Sequence, residues 1–452
     1  MGPRVVVAGT ASGVGKTTVA TGLMAALRAT GSKVAGAKVG PDFIDPGYHA
    51  LATDRPGRNL DAWMCGPEAI APLAARAGTG ADVLVMEGVM GLFDGAADDG
   101  WTASTAHVAS LLDAPVILVV DASSMSGSVA ALVHGFATFD SRVRVAGVIL
   151  NRVGSDGHEA VLRQALESVD VPVLGVLRRD EALSWKDRHL GLVPVVEKRY
   201  EVARSLDRLA AAVVASCDLA AVLTLAGQAP PTPTAILPAP RAAGRARVAL
   251  ASGPAFSFAY PDNLQTLEQA GAELVPFDPV DDEALPEACS GLYAGGGFPE
   301  VFAEPLAANR PLLEDVRRQV AGGLVTWAEC GGLLWLSRSL DGHMLAGVID
   351  AEATMTDRLT LGYRRARLCE DNPVAPAGAE LRGHEFHYSS IVPAGEALEL
   401  RSRFHPEGSG GFASPTLLAS YLHLHLGTTP ATAERFVARA SGPACWNRLS
   451  AS

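Results

Sequence analysis

The stretch RVVVAGTASGVGKTTVATGL, residues 4–23, decides the fold of the first half of the chain. An apolar run leads into a glycine-rich turn, and Lys16, Thr17 and Thr18 then open a helical pattern. The backbone N–H groups of such a turn and the N-terminus of the following helix favour a bound phosphate. Lys16 can reach the β- and γ-phosphate oxygens, and Thr17 can hold Mg²⁺. The stretch therefore predicts a phosphate-binding loop between a strand and a helix.

The residues of this loop are the predicted ATP contacts. We expect ATP to contact Thr10, Ser12, Gly13, Val14, Gly15, Lys16, Thr17 and Thr18. The strict Walker pattern has glycine where this chain has Thr10, and the loop instead resembles that of the dethiobiotin synthetase branch of P-loop proteins. Partitioning ATPases have a similar loop but carry lysine at the position of Ala11. A P-loop switch with an inert second domain is therefore an alternative that Ala11 disfavours.

Further apolar runs before residue 227 predict the rest of a sheet. Helical patterns separate the runs at residues 4–10, 83–88, 116–121 and 145–151. Continuous apolar runs are typical of parallel strands that are covered on both faces. We therefore expect a doubly wound α/β domain at residues 1–226. The resemblance of the phosphate loop implies that this domain is of the dethiobiotin-synthetase-like type.

A proline-rich segment, GQAPPTPTAILPAPRAAGR at residues 227–245, interrupts this pattern. Sequence of this composition is typical of a semi-rigid linker. Apolar runs that alternate with helical patterns resume at residue 246, with a less regular final part. Residues 246–452 are therefore predicted to form a second, mostly parallel α/β domain.

The bulk composition limits the partners and the location of the protein. A chain of 452 residues exceeds one ordinary core, and its net charge of −12 opposes non-specific binding to nucleic acid. The six cysteines are scattered, which indicates reduced thiols and neither a disulfide framework nor a zinc site. The longest aliphatic run, residues 115–120, is far too short for a membrane span. We expect a cytoplasmic protein with no nucleic-acid or membrane partner, and a homodimer is compatible with the sequence.

Carboxylates follow two of the predicted strands. Asp42 and Asp45 lie in a loop rich in proline and glycine, Glu87 ends the run VLVME, and Asp94 lies in a loop flanked by glycines. A solvated loop is the alternative explanation for the acidic pair. A nucleotide site in the same sheet needs carboxylates for magnesium, however, and α/β sites form at the carboxyl ends of strands. We therefore predict that Glu87 is the Walker-B acid.

Cys330 lies in the stretch GGLVTWAECGGLLWL, residues 322–336. An apolar run before it and two glycines after it are typical of a strand-to-helix elbow that exposes a nucleophile, and a helix N-terminus lowers the pKa of a thiol. A buried cysteine in the core is the alternative. Upstream, the run LYAGGG ends in glycines, and we expect the N–H groups of Gly296 and Gly297 to form an oxyanion hole.

Two histidines can supply the general base for this cysteine. His405 lies in RFHPEG, whereas His423 and His425 are predicted to share one face of a strand in LASYLHLHLG. A base on a rigid strand can be held within hydrogen-bond reach of the thiol, and HPEGSGG is typical of a mobile turn. We therefore predict that His423 is the base, with His405 as the alternative.

Several stretches in their order along the chain carry a resemblance to a known family. They are GTASGVGKTT, KVGPDFIDPGYH, RNLDAWM, EGVMGLFDG, RHLGLVP, YAGGGFPE, AECGGLLWL, LGYR, GHEFHYS and ASYLHLH. Together they resemble the cobyrinic acid a,c-diamide synthase family, including its hydrogenobyrinic acid form. The resemblance implies a cytoplasmic, ATP-dependent ligase of cobalamin biosynthesis with L-glutamine as the nitrogen donor. Its C-terminal domain is then a class I glutamine amidotransferase-like domain that releases ammonia through Cys330 and His423.

The resemblance also implies a division of labour in the N-terminal domain. This domain would phosphorylate an acetate carboxylate of hydrogenobyrinate or cobyrinate, and ammonia would displace the phosphate to give the amide at the a and c positions. Thr17, Asp42 and Glu87 look like the magnesium and ATP set, and Asp45 and Asp94 look like contacts to the corrinoid substrate or to the intermediate. The densest basic stretch of this domain, residues 177–191, would suit a polyanionic substrate, although a solvated charged loop explains it as well.

The chain departs from the usual glutaminase pattern at one position, and one alternative function fits the same architecture. Class I glutaminases usually have a glutamate two residues after the catalytic histidine, but this chain has His425 there, so the orientation of His423 is unexplained. The neighbouring cobyric acid synthases have a similar architecture and amidate four other corrin carboxylates. A synthase of that kind is the alternative function.

Overall fold

A computed structural model of the chain describes residues 1–95, 100–180, 187–188, 191–192, 194–231, 236–402 and 407–442. The chain divides into two compact units, Met1–Leu237 and Pro238–Ser452. The point of division lies within residues 227–245, the segment predicted to be a linker. In the described ranges, no helix is both long enough and apolar enough to cross a lipid bilayer.

The first unit alternates strands with helices. Its strands are β1 (Arg4–Gly9), β2 (Val34–Val39), β3 (Arg58–Leu60), β4 (Val83–Glu87), β5 (Val116–Asp121), β6 (Val145–Val153), β7 (Val173–Arg178), β8 (Asp187–Arg188) and β9 (Gly191–Leu192). Its helices are α1 (Lys16–Ala29), α2 (Asp45–Thr53), α3 (Ile70–Ala77), α4 (Thr105–Leu111), α5 (Ser128–Thr138), α6 (Asp156–Leu166), α7 (Arg199–Ser216) and α8 (Leu219–Gly227), with 3₁₀ turns at Pro67–Ala69 and Val195–Glu197.

The main sheet of this unit has the strand order β3-β2-β4-β1-β5-β6-β7, and all its pairs are parallel. Every residue of β1, β2 and β4 is buried, as continuous apolar runs of a covered parallel sheet require. Helices α1, α7 and α8 pack on one face. The predicted doubly wound fold is confirmed. The carboxyl ends of β2, β4 and β1 are neighbours, so the loops that follow them meet at one edge.

The second unit begins in the same style and ends differently. Its strands are β10 (Ala246–Ala251), β11 (Ala272–Phe277), β12 (Gly291–Ala294), β13 (Val325–Glu329), β14 (Ser337–Leu340), β15 (His343–Met344), β16 (Ile349–Leu368), β17 (Glu380–Val392), β18 (Leu398–Arg401), β19 (Gly408–Gly410), β20 (Phe412–Ser414), β21 (Leu417–Ser420) and β22 (His423–Leu424). Its helices are α9 (Pro261–Ala270), α10 (Ala303–Ala308), α11 (Arg310–Ala321), α12 (Gly331–Leu336) and α13 (Pro430–Ala440), with a 3₁₀ turn at Leu426–Thr428.

Two sheets organise this unit. The first has the order β11-β10-β12-β13-β21-β20 and is parallel except for its last pair. The second has the order β15-β14-β16-β17-β22, and its centre is the long antiparallel pair of β16 and β17. Separate apolar clusters cover the two faces of the parallel sheet. The prediction of a mostly parallel domain holds for the first sheet and misses the second, which is mostly antiparallel.

Candidate functional site

The loop between β1 and α1 folds back over the side chain of Lys16. Gly15 takes the left-handed conformation (φ 92°) and precedes the first residue of α1. The Nζ atom of Lys16 donates a hydrogen bond to the carbonyl oxygen of Ala11 at 2.9 Å, on the opposite side of the loop. The loop therefore wraps around the ammonium group of Lys16 and holds a cation inside the glycine-rich turn.

The ammonium group of Lys16 loses its proton more readily in this site than it would in water. Burial and the neighbouring ammonium of Lys38 lower the pKa of Lys16 to about 8, although Glu87, Asp45 and Asp94 act in the opposite direction. Asp94 is held in its loop because its Oδ2 accepts the N–H of Gly91 at 2.8 Å.

A cluster of polar side chains lies beside the loop, at the edge where β2 and β4 end. The Oγ1 of Thr17 donates to Oε1 of Glu87 at 2.6 Å and lies 3.5 Å from Oδ2 of Asp45. The Nζ of Lys38 lies 2.6 Å from Oδ2 of Asp45 and 2.9 Å from Oε1 of Glu87. The structure thus brings together three of the predicted residues around a lysine that the sequence did not single out.

Neighbouring charges in this cluster shift one another's pKa values. Burial would raise the pKa of Glu87, but Lys38 and a 2.6 Å contact to Nε2 of His49 outweigh burial and hold that pKa well below its ordinary range. Burial alone would lower the pKa of Lys38, yet Asp45 and Glu87 raise it. Burial and the charges of Asp42 and Glu87 raise the pKa of Asp45. Lys38 is therefore a counter-ion inside the cluster.

Asp42 lies in the loop just before α2, and its side chain shapes that loop. Its Oδ1 accepts the N–H groups of Ile44 and Asp45 at 2.7 and 2.9 Å. The side-chain amide of Asn59 donates to the Asp42 carbonyl oxygen at 2.7 Å. These bonds set the direction of the loop that carries Asp45 into the cluster.

The donor set in this cluster fits magnesium. Mg²⁺ prefers oxygen ligands, keeps several waters, and is usually bound by one or two carboxylates together with substrate phosphates. The hydroxyl of Thr17 and the carboxylate of Glu87 are such donors, and they lie next to the phosphate loop. The carboxylates of Asp42 and Asp45 flank them. The residues present therefore suit a metal that arrives with phosphate oxygens.

A cavity of about 310 Å³ opens on the other side of the loop, towards β5, β6 and β7. Its wall includes Gly15, Thr18, Asp121, Asn151, Arg152 and Arg178. The side chain of Asn151 donates to the carbonyl oxygen of Val14 at 2.9 Å and so holds the loop against β6. Thr18, one of the predicted ATP contacts, lines this cavity next to the loop.

In the second unit, Cys330 stands at a strained turn between β13 and α12. Its backbone has φ 47° and ψ −99°, a conformation that residues other than glycine rarely adopt. The turn is tight, because a Cβ atom at Gly332 would lie 2.2 Å from the carbonyl oxygen of Ala294. The N–H of Cys330 donates to the carbonyl oxygen of Ser420 at 2.8 Å. The geometry is that of a nucleophile elbow.

The ionisation of Cys330 differs from the sequence-based expectation. A helix N-terminus was expected to lower the pKa of the thiol, but burial, together with the charge of Glu300, raises it. The following helix, α12, has only six residues, and the cysteine is 5% exposed, so desolvation outweighs the helix. The resting group is therefore a thiol that needs a base.

The glycines after β12 lie against this elbow. A Cβ atom at Gly331 would lie 3.0 Å from the amide nitrogen of Gly297, which places the two backbones side by side. The N–H of Gly331 hydrogen-bonds to Cys330. The N–H of Gly296, in contrast, donates to the carbonyl oxygen of Phe258 at 3.0 Å. In this structure the N–H of Gly296, one of the two expected oxyanion donors, is therefore occupied by Phe258, whereas the backbones of Gly297 and Gly331 lie side by side at the elbow.

His423 faces the same glycines from β22. A Cβ atom at Gly296 would lie 2.6 Å from Cε1 and 3.3 Å from Nε2 of its ring. His423 pairs with His384 of β17, and their ring centroids are 5.1 Å apart. His425 was expected on the same strand face, but β22 ends at Leu424. His425 instead caps the 3₁₀ turn Leu426–Thr428, where its Nδ1 accepts the N–H of Gly427 at 3.1 Å.

Glu329, the last residue of β13, lies behind His423. Its Oε2 is 3.5 Å from Nδ1 of His423 and accepts the hydroxyl of Tyr293 at 3.2 Å, and its Oε1 accepts the N–H of Leu424 at 3.1 Å. Both His423 and Glu329 have side chains that are 1% exposed. Burial raises the pKa of Glu329 to about 8 and lowers that of His423 to about 3.

Sequence reasoning missed Lys38, Glu329 and Gly331 as members of these clusters. The first two had a usable signal, because each is a charged residue at the carboxyl end of an otherwise apolar run, as Glu87 is. Gly331 had the signal that an elbow uses the amide of the residue after its nucleophile. The alternative base, His405, lies outside the described residues, as do most residues of the basic stretch 177–191.

Comparison with known proteins relates both units to known domain families. Residues 5–193 match the CobQ/CobB/MinD/ParA nucleotide binding domain, and residues 247–431 match the CobB/CobQ-like glutamine amidotransferase domain. Over 97% of both chains, the protein is 51% identical to hydrogenobyrinate a,c-diamide synthase of Streptomyces coelicolor. The chain belongs to the a,c-diamide synthase family. The predicted family and fold class are thereby confirmed.

Other members of the a,c-diamide synthase family are nearly as similar. The protein is 48% identical to hydrogenobyrinate a,c-diamide synthase of Thermobifida fusca over 97% of both chains. It is 41% identical to cobyrinate a,c-diamide synthase of Dehalococcoides mccartyi over 96% of this chain and 97% of the relative. Membership of this family also confirms the predicted enzyme class, a glutamine-dependent amidating ligase.

Proposed function

We propose that this enzyme uses ATP and glutamine to amidate the a- and c-acetate carboxylates of hydrogenobyrinate or cobyrinate through acyl phosphates. The observation that carries the proposal is the full-length similarity to synthases named for this reaction, at up to 51% identity among the relatives described above. The two separate clusters fit the two halves of the reaction, one suited to phosphoryl transfer and one to glutamine hydrolysis.

In the first half, the phosphate loop and its cluster would serve phosphoryl transfer to the substrate carboxylate. The cavity beside Gly15 and Asn151 has the position to take the nucleoside part of ATP. Lys16 would contact the β- and γ-phosphates, while Thr17 and Glu87, with Asp42 nearby, would hold Mg²⁺. The metal, when bound, offsets the repulsion between the phosphates and the attacking carboxylate.

The substrate would bind next to this centre. We assign Asp45 and Asp94 to contacts with the corrinoid or with its phosphorylated intermediate. This assignment is supported by the charge interaction of both carboxylates with Lys16. Asp45 would need to leave Lys38 or act together with it, because the two groups lie 2.6 Å apart.

In the second half, Cys330 would attack the side-chain amide carbon of glutamine. His423 would take the thiol proton and then deliver it to the leaving nitrogen, so that ammonia departs and a thioester remains. The N–H groups of Gly297 and Gly331 would stabilise the negative oxygen of the tetrahedral intermediate. Water would hydrolyse the thioester to glutamate and restore the thiol.

An ammonia bypass tests this proposal. Cys330→Ser keeps the size of the side chain, but its hydroxyl is a poor nucleophile, so glutamine-dependent synthesis should be lost while added ammonium gives the same diamide. His423→Ala should behave in the same way, and His405→Ala should retain glutamine use. Lys16→Ala should abolish synthesis from either nitrogen source.

The product mass decides between the two corrinoid synthases. Mass spectrometry should find two added amides, because the relatives are named for a,c-diamides. Four added amides would support the cobyric acid synthase alternative. A Cys330→Ser variant that still uses glutamine at the normal rate would contradict the role of the cysteine.

A further inference from the structure

The position that carries the carboxylate of the usual glutaminase triad holds a different residue in this chain. A triad glutamate would stand at position 425, and this chain has a histidine there. The Nδ1 of His425 accepts the N–H of Gly427, and its ring lies 4.8 Å from the ring of Tyr260. His425 therefore supports the turn after β22, and the carboxyl group that lies near the ring of His423 is that of Glu329.

We infer that Glu329 is the positioning residue of this centre, holding the imidazole of His423 with Nδ1 protonated so that Nε2 can accept the proton of Cys330. The inference rests on the proposed function, since it assigns a role within glutamine hydrolysis. Glu329 precedes the nucleophile directly and reaches His423 from the strand that carries the elbow.

The geometry around Glu329 supports this role. One carboxyl oxygen is anchored by the backbone N–H of Leu424, the residue after His423, at 3.1 Å. The other lies 3.5 Å from Nδ1 of His423 and is also held by Tyr293. Catalytic hydrogen bonds are often long without substrate and shorten in the complex. The carboxyl group of Glu329 therefore contacts both the backbone of β22, at Leu424, and the imidazole ring of His423.

The segment that carries His423 is braced on its other side as well. The side chain of Asn263 donates to the carbonyl oxygen of Leu424 and accepts the N–H of Leu426, both at 2.7 Å. The backbone of the strand is therefore held by two buried side chains. Of these two, Glu329 is the one that can carry a negative charge towards the ring.

The proton balance favours an effect on the reacting state. When Nε2 takes the thiol proton, His423 becomes a cation in a site that is 1% exposed. A carboxylate at Nδ1 stabilises this imidazolium cation much more than the neutral imidazole of the resting enzyme. Its removal should therefore lower kcat more than it weakens glutamine binding. Burial raises the pKa of Glu329 to about 8, so only about a tenth of the enzyme carries this carboxylate at pH 7, and formation of the His423 cation favours the ionised form.

The test is Glu329→Gln in the full-length enzyme. The amide oxygen can still accept from Leu424, but the NH₂ group then faces His423 and donates to Nδ1, which leaves the proton on Nε2, the wrong nitrogen. Glutaminase kcat should fall by roughly 10²- to 10⁴-fold with KM within about threefold, a range typical of a base held in the wrong tautomer. Ammonia-dependent synthesis should remain within about twofold of wild type.

Matched variants separate a positioning role from a structural one. Asp315 is another buried carboxylate of the same unit, and it accepts the backbone N–H of Leu285 at 3.0 Å. Asp315→Asn is therefore a matched control and should leave glutaminase kcat unchanged. Glu329→Asp keeps the charge and should recover part of the lost kcat. The inference is wrong if Glu329→Gln retains glutaminase kcat within threefold of wild type. It is also wrong if glutamine-dependent and ammonia-dependent synthesis fall by the same factor.

The same experiment distinguishes a failure of the inference from a failure of the proposed function. Cys330→Ser is measured alongside. If it still uses glutamine, the proposed glutaminase centre fails as a whole. If it loses glutamine use and Glu329→Gln does not, only the positioning role fails.

Discussion

Replacing Lys38 by methionine should destabilise the first unit strongly. The ammonium of Lys38 lies 2.6 Å from Asp45 and 2.9 Å from Glu87, whose side chains are only 12% and 0% exposed. Methionine fills similar space without the charge, so two buried carboxylates lose their counter-ion. Breaking a buried pair in this way costs roughly 3–5 kcal/mol. We expect about 3 kcal/mol, because His49 still contacts Glu87 and the raised pKa of Asp45 allows it to take up a proton.

This loss should appear as a lower melting temperature of the first unit. For a domain of this size, each kcal/mol moves Tm by about 2–4 °C, so a drop of roughly 6–12 °C is expected by calorimetry. Lys33→Met, at an exposed lysine just before β2, is the matched control and should melt like wild type. Adding Asp45→Asn to Lys38→Met should recover part of the loss, because one uncompensated carboxylate is removed. A Lys38→Met variant that melts within 2 °C of wild type would refute the counter-ion role.

Three further predictions concern the two centres. Glu87→Gln should abolish amide synthesis and make ATP affinity nearly independent of added Mg²⁺ in titration calorimetry; unchanged magnesium dependence would remove Glu87 from the proposed metal site. Because the pKa of Lys16 is lowered to about 8, its ammonium is largely lost by pH 9, and ATP should bind about tenfold more weakly at pH 9 than at pH 7. Lys16→Arg, which stays charged, should lose this pH dependence, and a similar slope in both proteins would exclude Lys16 as its source. Gly296→Ala should reduce glutamine-dependent turnover about 10²-fold and spare ammonia-dependent turnover, because the new Cβ displaces the ring of His423; an equal loss of both would point to misfolding.

The parts of the fold with a strong local pattern could be predicted. The runs at residues 4–10, 83–88 and 116–121 contain β1, β4 and β5, and the run at 145–151 covers all but the last two residues of β6. These strands are covered on both faces, so their sequences are continuously apolar. The pair of β16 and β17 could not, since their exposed and buried residues alternate unevenly over 20 and 13 residues. Such strands take their stability from each other, and that pairing is not visible in either sequence alone.

The candidate site shows the same division. Thr17, Glu87 and Cys330 stand at element boundaries with distinctive neighbours, so their positions were readable from the sequence. The partners of these groups depend on which strands become neighbours. Lys38 meets Glu87 because β2 lies beside β4, and Glu329 meets His423 because β22 follows β21, the strand next to β13. The protonation state of Cys330 could not be predicted from the sequence either, because burial is the main cause of its raised pKa.

The adjacency of Glu329 and Cys330 changes how related glutaminases should be recognised. A search pattern that demands His-x-Glu would reject this chain, although a buried carboxyl lies 3.5 Å from the histidine ring. A more suitable pattern joins Glu-Cys-Gly-Gly at the end of an apolar strand with a later histidine, and places no requirement on the second residue after it. The residue at position 425 then needs no acid–base role, and in this chain it caps the 3₁₀ turn that follows β22.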